Sequence, residues 1–194
     1  VFAGQGNDEI YGGDGEDFIH DGFGHDTIYA GSGNDSIIGG GDNDTIYAGD
    51  DADQISFDPT FGAALVDGGS GGLDNDTLSL EAQPNGFAVV YTGDEDGTFS
   101  DGASSGTFAD IENLIMSDQN DAVNATADTV GINVLLGDGT DVVFGGSGSD
   151  VIGDIDASNT ETDNKAITAR DGNDQIWTRT GNDKIDSSTV NDYL

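Results

Sequence analysis

The sequence predicts an all-β fold, a right-handed parallel β-roll whose coils each carry two short strands and two turns. Three observations predict it. Isoleucine recurs at positions 10, 19, 28, 37, 46 and 55, and a nine-residue register held over six copies marks a solenoid. An aspartate precedes each isoleucine by two residues (Asp8, Asp17, Asp26, Asp35, Asp44 and Asp53), and a glycine-rich turn precedes each aspartate. Each apolar residue stands between two others as the centre of a very short strand, pointing inward while its neighbours point out. Gly12-Gly13-Asp14-Gly15-Glu16-Asp17-Phe18-Ile19-His20 is the cleanest copy. One copy makes a turn and a strand, and two copies make a coil, so odd and even copies stack on opposite edges.

The turn is built from metal-ligand chemistry. Its glycines allow positive φ and let carbonyls face a common centre, and its aspartate adds a carboxylate on a short stem. Such hard oxygens suit Ca²⁺, which takes roughly 6–8 of them at about 2.3–2.6 Å. They suit zinc or copper poorly, since the chain has no cysteine and no clustered histidine. The geometry places one ion between copy n and copy n+2, pairing Asp8 with Asp26, Asp17 with Asp35, Asp26 with Asp44, and Asp35 with Asp53. The pattern G-G-x-G-x-D-x-U-x, with U a large apolar residue, resembles the RTX or haemolysin-type calcium-binding repeat, a known calcium-binding nonapeptide. The resemblance implies a parallel β-roll with calcium in both rows of turns. It further implies one-step, type I export of a longer bacterial protein.

The chain has 39 acidic residues against 4 basic ones, a formal charge of −35. Of the acids 33 are Asp and 6 are Glu, a bias expected where tight turns aim carboxylates inward. Such charge opposes binding to nucleic acid or anionic membranes and opposes a compact state without metal. Each Ca²⁺ would cancel two charges and bridge consecutive coils, making binding free energy folding free energy. Without cysteine there is no disulfide or thiol chemistry, and no stretch reaches the roughly 18 apolar residues of a membrane span. No signal peptide is visible. Val1 opens in mid-pattern, and Leu194 is the apolar position of an unfinished copy, so the chain reads as a piece of a longer protein.

Residues 1–56 form the first block of six copies. Asp42 and Asp51 replace the second-half glycine of their turns, either as added ligands or as outward, solvated acids, and Asp14 and Asp50 are expected to face water. Residues 57–122 break the register into irregular, wider coils. Residues 67–78 read as a stretched copy in which Asp76 and Leu78 keep the ligand and core roles. Phe87 to Tyr91 reads as a strand, and Thr92 to Gly106 as a hairpin or projecting loop. The segment Phe108-Ala109-Asp110-Ile111-Glu112-Asn113-Leu114 resembles an F-x-x-I-E-x-L segment found between repeat blocks of the same family, with Phe108, Ile111 and Leu114 expected inside. Asp121 and Val123 resume the D-x-U spacing. Residues 123–194 form the second block. Val134, Val143 and Ile152 step by nine, as do Ile176, Ile185 and Leu194. An insertion falls at about 154–164, before Ile167. The turn from Ala127 to Val134 has no aspartate at the ligand position and is expected to be metal-free. Arg170 and Arg179 replace a glycine in their turns, which makes calcium there less secure. The candidate metal ligands are therefore Asp8, Asp17, Asp26, Asp35, Asp44, Asp53, Asp76, Asp141, Asp150, Asp174, Asp183 and Asp192, holding several calcium ions.

Other chemistry fares worse against chance. Gly68 to Gly72 and Gly102 to Gly106 match G-x-S-x-G, but a nucleophile elbow needs a strand-to-helix turn and a nearby histidine. His20 and His25 lie far off in the first block and read as solvated side chains. Asp94 to Gly97 lacks the full EF-hand loop and its helices. Ice binding would require repeated outward Thr and Asn, and only Thr180 with Asn182 fits. Tyr11, Tyr29 and Tyr47 recur every 18 residues and should stack on one face, as a structural ladder or a contact surface for a partner or a second copy. No catalytic residue is assigned. The expected function is a calcium-dependent structural module of a secreted, extracellular or cell-surface protein. The competing function is an accessory domain of a secreted hydrolase or polysaccharide-modifying enzyme whose catalytic part lies elsewhere.

Overall fold

A computed structural model describes residues 1–72, 74–154, 164–179, 181–187 and 192–194. Most of the insertion expected at 154–164, and Thr180, lie outside the described residues. Among the described residues there are twenty strands and no helix. The first block contributes β1 (Phe2–Gln5), β2 (Glu9–Asp14), β3 (Phe18–Phe23), β4 (Thr27–Ser32), β5 (Ser36–Gly39), β6 (Thr45–Asp50) and β7 (Gln54–Phe57). The middle contributes β8 (Ala63–Asp67), β9 (Thr77–Ser79), β10 (Ala88–Tyr91), β11 (Gly97–Ser100), β12 (Ser105–Ala109), β13 (Asn113–Ile115) and β14 (Ala122–Asn124). The last part contributes β15 (Asn133–Leu136), β16 (Val142–Phe144), β17 (Val151–Asp154), β18 (Ala166–Thr168), β19 (Gln175–Trp177) and β20 (Lys184–Asp186).

Outside β10 to β12, successive strands alternate between two sheets, as the two-copies-per-coil reading requires. The first sheet runs β1-β3-β5-β7-β9-β13-β15-β17-β19, and the second runs β2-β4-β6-β8-β12-β11-β10-β14-β16-β18-β20. This is a parallel β-solenoid, the β-roll that the repeat predicts. The nine-residue register becomes stacking of like on like. Ile10 aligns with Ile28 and Ile46 in the second sheet. Ile19, Ile37, Ile55 and Leu78 align in the first, continued by Leu114, Val134, Ile152 and Ile176. These side chains are buried almost completely, and burial of each contributes about 1.5–3 kcal/mol. In the first block their immediate strand neighbours are exposed or half-exposed, and other buried apolar side chains such as Ala30, Ala48, Leu80 and Leu136 complete the core.

The middle of the chain departs from the parallel plan. The segment expected as a hairpin or projecting loop is built into the second sheet. β11 pairs antiparallel with β10 on one side and β12 on the other. β12 and β10 then rejoin parallel partners, β8 and β14. Here the interior is filled by Phe57, Phe61, Phe87 and Phe99, whose rings meet with centroids 4.5 to 6.3 Å apart. Phe108, Ile111 and Leu114 are buried as expected. On the outer face of the second sheet Tyr11, Tyr29 and Tyr47 stack with centroids 5.1 Å apart and planes within 13° of parallel, and all three remain exposed.

Candidate metal centre

The turns are shaped by left-handed backbone at two fixed places. Gly13 and Gly15 have φ of 113° and 102°, and Gly31 and Gly33 have 122° and 114°. A side chain there would strike the neighbouring coil: a Cβ on Gly31 would lie 2.0 Å from the carbonyl oxygen of Gly13. Asp42, Asp51 and Arg170 adopt the same sign of φ, at 81°, 79° and 77°, so these substituted turns close despite losing glycine.

From Asp26 onward, the ligand-position aspartates of the first block each spend one oxygen on the backbone of the coil before. In the turns leading into the second sheet, Asp26 Oδ1 accepts the Asp8 N–H at 2.7 Å and Asp44 Oδ1 accepts the Asp26 N–H at 3.0 Å. In those leading into the first sheet, Asp35 takes Asp17, Asp53 takes Asp35, and Asp76 takes Asp53, at 2.7 to 2.8 Å. The n to n+2 spacing therefore brings together all the pairs read from the sequence. The second oxygen is the informative one. Oδ2 of Asp8, Asp26, Asp35, Asp44, Asp53, Asp76 and Asp174 is buried with no hydrogen-bond partner. A buried carboxylate oxygen left unsatisfied is costly, and seven repeats of that cost in register call for a cation. Room exists beside it. A Cβ on Gly68 would lie 2.4 Å from Asp76 Oδ2, and one on Gly145 would lie 2.1 Å from Asp150 Oδ2, so only glycine keeps these spaces clear. The donors are all oxygens, which fits calcium. The metal-free carboxyls show the strain electrostatically. Burial, reinforced by neighbouring carboxylates, pushes Asp44 and Asp53 up to about 7 and Asp76 to about 8.

The second block repeats the scheme less regularly. Asp150 accepts from Ile132 N–H and Gly146 N–H, Asp174 from Asp150 N–H, and Asp192 from Asp174 N–H. Asp183 Oδ1 accepts the Lys165 N–H, and Asp141 Oδ1 accepts the Asp121 N–H. Asp141 Oδ2 instead meets the Lys165 ammonium at 2.8 Å.

Five participants escaped the sequence reading: Asp21, Asp74, Glu112, Asp128 and Lys165. Asp21, in the first-glycine position of its turn, is fully buried. Its Oδ1 holds the N–H groups of Gly22 and Gly40, and its Oδ2 has no partner. Asp21, Asp26 and Asp44 bring ligand atoms within 4.8 Å of one another, as do Asp74, Asp76 and Glu112. Glu112 stands two residues before Leu114 and accepts the Asp76 N–H, the place an aspartate takes elsewhere. The turn expected to be metal-free, for want of an aspartate at the ligand position, contains Asp128 outside that position, buried, with Oδ1 accepting the Gly131 N–H and Oδ2 without a partner. The last is Lys165. Counting two residues back from each core apolar residue, whatever stood there, would have found both Glu112 and Lys165.

Among the described residues neither G-x-S-x-G serine is hydrogen-bonded to a histidine. Ser70 sits exposed on a turn, and Ser104 donates to the Phe61 carbonyl at 2.5 Å. His20 faces Asp58 at 3.3 Å and His25 faces the Asn43 carbonyl at 3.2 Å.

Fold and donor set together define a calcium-binding β-solenoid. The family model for the RTX calcium-binding nonapeptide repeat matches the chain over residues 1–28, 20–55, 133–152 and 166–194. These spans cover just over half of it, and the chain belongs to the RTX calcium-binding repeat family. No individual curated protein matches the chain.

Proposed function

We propose that this calcium-binding β-roll is a folding switch within a secreted bacterial protein, held open where Ca²⁺ is scarce and closed by Ca²⁺ outside the cell. The repeated buried Oδ2 atoms without partners carry this reading. They make the metal-free coil stack expensive and reward a divalent ion in every turn that presents them. The proposed ligands are Asp8, Asp17, Asp26, Asp35, Asp44, Asp53, Asp76, Asp150, Asp174, Asp183 and Asp192, whereas Asp141 meets the Lys165 ammonium. The exposed ladder of Tyr11, Tyr29 and Tyr47 is proposed as a contact face for a second copy or a surface partner. Adhesin and scaffold roles suit such a module. So does an accessory role beside a hydrolase domain, in which case the catalytic groups lie outside these 194 residues.

Far-UV circular dichroism during a calcium titration from chelated protein, with Mg²⁺ as control, tests the switch. The expected result is a coil spectrum turning cooperatively to β with Ca²⁺ and not with Mg²⁺. A full β spectrum in chelator would overturn it.

A further inference from the structure

A cation of the chain's own stands in one row of carboxylates. Two residues before Ile167, the core residue of β18, lies Lys165. Asp121 and Asp141 hold that place in the two coils stacked before it, and Asp183 holds it in the coil after. The Lys165 backbone behaves as an aspartate's would, donating its N–H to Asp183 Oδ1 at 2.9 Å. The side chain does not turn outward to water. It is fully buried and runs back into the preceding turn, where Nζ lies 2.6 Å from the Gly137 carbonyl oxygen, 3.3 Å from that of Gly139 and 2.8 Å from Asp141 Oδ2.

Two carbonyls of a glycine turn and the inward oxygen of a row carboxylate are the donor types that the other turns offer a calcium ion. Among the described residues, three oxygens lie at bonding distance of the ammonium, which carries three N–H donors. An ordinary surface lysine would keep its head in water, and a fully buried one persists only when paired. A calcium ion on the same oxygens would meet a like charge at contact, with no water between to screen it.

We infer that Lys165 is a tethered substitute for one calcium ion, closing the turn at 137–141 against the coil of β18 without metal. The inference rests on the proposal that the remaining turns hold calcium. It gives the second block one junction that does not depend on the ion.

Calcium counting by native mass spectrometry on the full 194-residue chain tests it, comparing the wild type with Lys165→Asp. The variant restores the carboxylate row and is expected to hold one more Ca²⁺ than the wild type at saturation. An equal count in a variant with the wild-type β spectrum overturns the inference. Amine acetylation of the calcium-loaded wild type gives a second reading that needs no variant. The chain has two lysines, and the exposed Lys184 is expected to react at least tenfold faster than Lys165. Equal rates would place the Lys165 ammonium in water and overturn the inference even if Lys165→Asp fails to fold. A wild type that binds no calcium would instead sink the proposed function, leaving the acetylation result to be read by itself.

Discussion

At the scale of single residues, a row aspartate with a coil before it has two separable tasks. One oxygen accepts a backbone N–H from the coil before, and the other faces the turn interior. Asp26 does both and also donates its own N–H to Asp44, whereas Asp8 begins its row with no carboxylate coil before it. Asp26→Ala is therefore expected to raise the calcium midpoint by about tenfold or more, since hydrogen bonds to charged groups contribute about 1.5–3 kcal/mol. Asp8→Ala should raise it less. Isothermal titration of both variants checks this, and equal effects would contradict ion sharing between copies n and n+2. Asp26→Asn keeps an oxygen for the Asp8 N–H while removing the charge. It should lose calcium affinity yet retain coil stacking at saturating calcium. The rows themselves were legible because one residue type recurs at one spacing. Asp21 was not, because the first-glycine position is normally backbone only, and an acid there reads as a surface substitution until its burial is seen. Asp128 was hidden for a related reason: it reaches the interior from four residues before Ile132, outside the D-x-U register.

At the scale of elements, the roll divides by what fills its interior. Where the nine-residue register holds, single aliphatic residues stack and the turns carry acids. Where it breaks, between β7 and β14, four phenylalanines occupy the wider coils and the carboxylate row of the second sheet lapses: Ala64 stands two residues before Val66, and Phe87 two before Val89. Periodicity could not place β11, because its partners are antiparallel and its register belongs to no repeat. The alternation in Gly97-Thr98-Phe99-Ser100, buried and exposed by turns, was the local trace it left. Phe99 touches Phe57, Phe61 and Phe87, so Phe99→Ala should cost about 3–5 kcal/mol. Thermal melts in saturating calcium should show the loss, and a midpoint unchanged from wild type would mean that this cluster is not the structural joint. The tyrosine ladder makes a different demand. Three stacked, exposed rings on parallel strands suit an apolar partner surface. Replacing Tyr11, Tyr29 and Tyr47 together by Ser is expected to leave calcium binding intact. If the ladder joins copies, sedimentation velocity should show wild-type oligomers that the triple variant lacks, whereas a monomeric wild type at high concentration would leave a different partner as the occupant of that face.

At the scale of the whole molecule, a formal charge of −35 must be accommodated in a thin solenoid. Protons and calcium compete to do so. Burial raises the folded-state carboxyls of Asp21 and Asp150 to about 6, of Asp44, Asp53 and Asp121 to about 7, and of Asp76 to about 8, against 3.8 for an ordinary aspartate. A raised folded-state value means that the metal-free fold binds more protons than the unfolded chain. Its stability is then greatest below about pH 4 and is lost as pH rises through 6 to 8. Calcium reverses the dependence, because the ion needs the charged form and displaces those protons as it binds. In chelator, β content by circular dichroism should therefore rise as pH falls from 8 to 5. In calcium, the concentration needed for half-folding should increase over the same change. A chelated chain that is more folded at pH 8 than at pH 5 would show that the buried carboxylates are neutralised by something other than protons or metal, and the coupling between ion and fold would have to be sought elsewhere in the molecule.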